Sequence, residues 1–243
     1  MIYDQGMDRK SLMKYYGRLF YFCRFLIRCF HTRYRIDHPE RLKDPVVYLS
    51  RHFNSKGIFM TIPWLPGRIR IWALSVYHDR RVCFDHLVQY TLTERYGFPK
   101  WKAKMMATLY APFLSALMRS SRTIPVYRDS MKVIQTYQLS LKALKQGESL
   151  LIFPERSYTS EDGRMSDMYE GFLLIDRLYF RDTGRHIPFV TIFADAKTAT
   201  IKVREPILFQ GDARDPDERK RVCELIQSQL SDPTDQDDQS HGS

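Results

Sequence analysis

Two hydrophobic periods alternate along this chain. Short apolar runs stand at 33–37 (RYRID), 45–50 (PVVYLS), 70–76 (RIWALSV), 123–127 (TIPVY), 149–154 (SLLIFP), 187–193 (IPFVTIF) and 198–207 (TATIKVREPI). Their length and β-branched content predict strands. Between them, apolar positions return every three to four residues. This predicts helices over 101–119, with a kink at Pro112, and over 169–180. Asp129 reads as the N-cap of a helix whose apolar face is Ile134, Tyr137, Leu141 and Leu144, closed by Gly147. Asp215-Pro216 with Glu218 opens a last helix, since proline suits the first helical position and an acid the first turn. Strands alternating with helices predict a single α/β domain over 33–230, its sheet mixed but mostly parallel and flanked by helices.

The segment 10–30 (KSLMKYYGRLFYFCRFLIRCF) has a different pattern. At about 100° per residue, Lys10, Lys14, Arg18, Arg24 and Arg28 fall within an arc of roughly 120°. Leu, Phe, Tyr, Ile, Met and Cys fill most of the remaining circumference. A terminal helix packed on the core with one solvated stripe is the ordinary reading. The breadth of the apolar face and the almost purely cationic stripe favour a helix lying in the plane of an anionic bilayer. Residues 1–32 are therefore expected to form an amphipathic, membrane-associating helix.

Composition narrows the partners. The chain has 243 residues, 27% charged and 44% hydrophobic, which is globular rather than disordered. Its net charge is +10, although 231–243 holds four Asp and no Lys or Arg, so the body is more basic still. That acidic tail is expected to be disordered. A basic body expects an anionic partner: a membrane surface, a phosphorylated or CoA-like substrate, or nucleic acid. Nucleic acid is the weakest of these, and none is expected, because the aromatic residues interleaved with Arg follow helical amphipathicity and no base-stacking module. The four cysteines lack metal-ligand spacing, and no secretory leader or uninterrupted span-length apolar run is visible. The expectation is a peripheral protein on the cytoplasmic face of a membrane, with no metal.

Three polar segments follow predicted strands, where sites collect in α/β sheets. They are Ser50-Arg51-His52-Phe53-Asn54-Ser55-Lys56-Gly57, then Thr123-Ile124-Pro125-Val126-Tyr127-Arg128-Asp129, then Phe153-Pro154-Glu155-Arg156-Ser157-Tyr158. Taken alone, His52 beside the fixed charge of Arg51 is an imidazole held neutral and able to accept a proton, or a strand-end histidine bonded to backbone. The three segments in this order, followed by Ile187-Pro188, resemble the glycerolipid acyltransferase family, the lysophospholipid (1-acylglycerol-3-phosphate) acyltransferases. The resemblance covers about 34–209. His52 stands at the family's Asn-His-x-x-x-x-Asp motif. Ile124, Pro125, Val126 and Arg128 match its Ile-Pro-Val-x-Arg. Phe153, Pro154 and Glu155 match the start of its Phe-Pro-Glu-Gly-Thr-Arg, and Gly171-Phe172 fit its downstream Gly-Phe.

The resemblance implies an O-acyltransferase that moves a fatty acyl chain from acyl-CoA or acyl carrier protein to a lysophospholipid hydroxyl. His52 would be the general base, and no cofactor is needed beyond the donor. Substrate binding would fall to Arg128, Glu155, Arg156 and Ser157, the arginines gripping an acceptor phosphate. Gly57 replaces the family's aspartate, so the partner that would fix the His52 tautomer is missing. Asp79, Asp85 and Asn54 are the candidates to fill in. The alternative implied by Gly57 is a weakened or inactive lipid- or acyl-carrier-binding protein of the same fold. Tyr158, where the family has arginine, implies a changed acceptor head group.

Overall fold

A computed structural model describes residues 15–43, 45–51, 56–127, 131–155 and 168–231. The chain falls into two compact units, Met1–Leu26 with Arg70–Leu139 and Ile27–Ile69 with Ser140–Ser243.

The second unit carries five strands. They are β1 (Arg35–Ile36), β2 (Val47–Leu49), β5 (Ser149–Ile152), β6 (Phe189–Asp195) and β7 (Thr200–Val203), in the order β1-β7-β6-β2-β5. Every pairing among them is parallel except β6 with β7. β2 and β5 are buried along their whole length, which is why they read as unbroken apolar runs. A six-residue helix, α2 (Lys56–Thr61), starts at the end of the polar segment 50–57 that the sequence reads as a strand-end loop. It is too short to show a helical period, and it packs on β6. Helix α6 (Leu174–Thr183) follows a 3-10 turn over Glu170–Leu173 and ends at Gly184, whose φ of 70° suits a residue without Cβ. Helix α7 (Pro216–Leu230) starts as its sequence predicts, with the Asp215 carboxylate accepting from the Asp217 N–H.

In the first unit β3 (Ile69–Leu74) and β4 (Ile124–Val126) pair in parallel, Trp72 opposite Ile124 and Leu74 opposite Val126. Between them run α3 (Arg80–His86), a π-helical continuation over Leu87–Arg95, and α4 (Lys100–Ser120), which passes uninterrupted through Pro112. The π-helical run evades prediction because its buried residues, Leu87 and Leu92, are five apart rather than three or four. Ala103, Ala107 and Ala111 form a small-residue seam that lets α4 close on Cys83, Leu87 and Leu92.

Two expectations about helices change. Helix α1 spans Arg18–Phe30, whereas the described residues Tyr15–Gly17, expected to be helical, form a turn. The Gly17 N–H donates to the Ser120 carbonyl at 2.8 Å, and a Cβ on Gly17 would lie 2.5 Å from Ser120 Oγ. That close approach, with Tyr15 and Tyr16 buried, holds the turn in place. Lys10 and Lys14 of the predicted cationic arc, like the acidic tail beyond Ser231, lie outside the described residues. Helix α5 (Val133–Lys145) buries Thr136, Tyr137, Ser140, Ala143 and Leu144, while Ile134, predicted on its apolar face, is 53% exposed. Buried hydroxyls displace the apolar template: Thr136 Oγ1 donates to the Pro125 carbonyl at 2.8 Å and accepts from the Tyr127 N–H. Asp129, the predicted cap, lies outside the described residues.

Candidate active site

Parallel pairing of β2 with β5 sets Leu49 opposite Ile152, and the Ser50 N–H donates to the Ile152 carbonyl at 3.1 Å. Both strands therefore end at the same edge, and the first and third motifs leave side by side. Arg51, two residues past β2, and Glu155, three past β5, meet there: Arg51 Nε lies 3.3 Å from Glu155 Oε1. Their side chains are only 8% and 13% exposed. Two charges withdrawn from water to this degree persist only when paired.

This pair changes the expected electrostatics. The sequence places an uncompensated guanidinium beside His52; the structure matches it with the Glu155 carboxylate.

The third motif is fixed from its far side as well. The Tyr169 N–H donates to the Pro154 carbonyl at 2.8 Å, and Glu155 forms an antiparallel bridge with Met168. Gly171 gives the Tyr169 ring its place, since a Cβ there would come within 2.2 Å of it. Phe172, next in the chain, is fully buried and meets Phe189 of β6 edge-on. The Gly-Phe match is thus a packing element beneath the motif. On the first motif, Gly57 is buried within α2, and its carbonyl accepts from Thr61 Oγ1 at 2.6 Å.

Among the predicted site residues, His52, Asn54, Arg128, Arg156 and Ser157 lie outside the described residues. The other two candidate partners of His52 belong to α3. The Asp79 carboxylate accepts from the N–H groups of Arg81 and Val82 at 2.8 and 2.9 Å, as a helix N-cap. Those two N–H groups hold its pKa below the usual carboxylate value. Asp85 is exposed on the same helix. In the second motif, Ile124 and Val126 lie in β4 as predicted. Thr123 at its head accepts from or donates to His78 Nε2 at 2.9 Å, and burial lowers the His78 pKa. Among the described residues no group of three or more His, Cys, Asp or Glu converges as metal ligands would.

One buried acid–imidazole pair escaped the sequence reading. Asp176 of α6 is fully buried; its Oδ2 lies 2.8 Å from His186 Nδ1, and its Oδ1 accepts from the Ile187 N–H at 2.9 Å. Burial pushes the Asp176 carboxyl up, with the two hydrogen bonds pulling against it. The His186 ring stacks on Phe180 at 4.3 Å. Ile187 leads into the start of β6, beside the start of β2, so this pair sits at the amino ends of the strands, opposite to Arg51 and Glu155.

The Acyltransferase family model matches residues 83–193. The matched span includes the second and third motifs and begins after the first. No curated protein matches the chain. Among solved structures it is similar to the 1-acyl-sn-glycerophosphate (LPA) acyltransferase PlsC from Thermotoga maritima. The similarity holds at 13% identity and a TM-score of 0.49, over 96% of this chain and 82% of that one. Over 83–193, which holds two of the three motif segments, the chain is similar to the Acyltransferase family.

Proposed function

We propose that the chain transfers a fatty acyl group from acyl-CoA or acyl carrier protein to the hydroxyl of a lysophospholipid at an anionic membrane surface. The observation that carries this reading is the buried Arg51–Glu155 pair, which brings the first and third motifs together at adjacent strand ends. His52, next to Arg51, is the general base. It takes the proton of the acceptor hydroxyl as oxygen attacks the thioester carbonyl, and the departing thiolate collects a proton. Arg128, Arg156 and Ser157 bind the acceptor phosphate, and Glu155 holds Arg51 in register. The exposure of α1 supports a membrane setting. Of its apolar residues Phe20 is buried, whereas Phe22, Phe25 and Phe30 are 59%, 63% and 82% exposed. No helix among the described residues is long and apolar enough to cross a membrane, which fits a helix lying in the interface.

Gly57 favours a second reading, a binding protein that has lost the chemistry, because a glycine within α2 offers no carboxylate to a histidine. Incubation of the purified chain with radiolabelled acyl-CoA and a panel of lysolipids separates the two. Wild type is expected to label a lysolipid, and His52→Ala to lose on the order of a thousandfold, as removal of a general base does. Equal labelling by both proteins would remove His52 from the mechanism. A product profile in which lysophosphatidic acid is not preferred is expected from Tyr158; preference for it would remove the changed head group.

A further inference from the structure

Helix α4 has two apolar faces. Ala103, Ala107 and Ala111, each no more than 1% exposed, face inward. Two residues away from each, and so about 160–200° round the helix, stand Trp101, Met105, Leu109 and Phe113. Their exposures are 69%, 57%, 72% and 44%. Tyr110 widens the strip. A helix that only covered its own unit would carry polar residues there. A ridge of bulky apolar side chains about 18 Å long instead needs a non-aqueous partner.

Charge selects that partner. Lys100 and Lys104 are exposed at the start of the ridge, with Lys102 between them. Over 80–122 there are eight Lys or Arg against two carboxylates, Asp85 and Glu94. A second copy of this chain seated on the ridge would bring the same positive charge to meet it. An anionic leaflet offers both hydrocarbon and opposite charge. The ridge also belongs to the unit that holds the first part of α1. The Gly17 and Phe20 N–H groups both bond to Ser120, the last residue of α4.

We infer that α4 is a second membrane-seated helix, its Trp101–Phe113 ridge sunk in the acyl boundary of an anionic leaflet and its lysines at phosphate level. This deepens the membrane reading above and rests on it, but through residues separate from α1 and from the site.

Flotation of the full chain with phosphatidylcholine vesicles, with and without phosphatidylglycerol, tests it. Trp101→Ser/Leu109→Ser is expected to lower partition roughly a hundredfold with an unchanged circular dichroism spectrum, both side chains being exposed. Lys102→Gln and Lys104→Gln should each cost roughly fivefold on anionic vesicles and nothing on neutral ones. Brominated lipid should quench a fluorescence component that Trp101→Phe removes. Undiminished partition of the double variant, or absence of that component, overturns the proposal. So does a lipid-free dimer in sedimentation that Leu109→Ser abolishes, since the ridge would then be covered by a second copy. The catalytic reading fails separately: a His52→Ala protein that floats normally yet keeps full activity sinks the base and leaves the ridge standing.

Discussion

Glu155 with Arg51 and Asp176 with His186 are two largely buried hydrogen-bonded pairs at opposite ends of the same parallel strands. By residue type the Asp176 pair has the more catalytic character, an aspartate on an imidazole. By position it is a clamp. Asp176 is sealed, both its oxygens are engaged, and its bond to Ile187 anchors the backbone that enters β6. The Arg51 pair lies at the carboxyl ends, where ligand sites collect in α/β sheets, and its chain neighbour is His52. An acid–imidazole geometry therefore identifies a site only where the fold opens it to substrate.

The largest effect should come from Glu155→Ala, which takes the paired carboxylate away from the buried Arg51 guanidinium. Loss of one partner of such a pair costs about 3 kcal/mol of stability, and the displaced first motif should lower acyl transfer about a hundredfold, which is about 2.7 kcal/mol in barrier. Replacing both partners, Arg51→Leu/Glu155→Leu, should return stability to within about 1 kcal/mol of wild type, as apolar replacements of buried pairs do, without returning activity. Urea titration and a steady-state assay read the two quantities. Stability and activity recovering together in the double variant would reduce the pair to a fold element like its counterpart.

Asp176→Ala comes next. It leaves the Ile187 N–H and the His186 ring without their acceptor, at a cost of about 3 kcal/mol. For a chain of this size that lowers Tm by roughly 6–12 °C. Activity per folded molecule should not change. A selective loss of kcat, at temperatures where the variant is fully folded, would make Asp176 and His186 part of the chemistry and reverse the contrast.

Of these two pairs, the sequence discloses neither. The strands were legible because β2, β5 and β6 are buried on both faces and so are written in continuous apolar residues. The start of α7 was legible because Asp215-Pro216 is a local signal. Arg51 and Glu155 stand 104 residues apart, and their meeting depends on β2 and β5 being neighbours, which no local period encodes. Asp176 sits in a helical pattern as one more polar residue, and its burial follows only from the way α6 lies against the entry to β6. The motif order, by contrast, was visible because each motif is a short contiguous string.

Asp79→Asn is the smallest effect and the sharpest question, because Asp79 was a candidate to replace the carboxylate missing at Gly57. Its carboxylate already takes two N–H groups at the start of α3, and asparagine caps a helix nearly as well as aspartate. What the variant removes is charge. The folded-state pKa is held down by the Val82 and Arg81 N–H groups, so the stabilisation belongs to the ionised form. It is fully present above the ordinary carboxylate value near 4 and is lost as pH falls through the lower folded value. Wild type should therefore melt slightly above Asp79→Asn at neutral pH, and the two should converge at the acid end of the melting series. Acyl transfer should be the same in both. If instead kcat falls by a hundredfold with Tm barely moved, Asp79 serves the His52 imidazole rather than the helix. A cap shared with catalysis would then be how this chain manages with glycine at position 57.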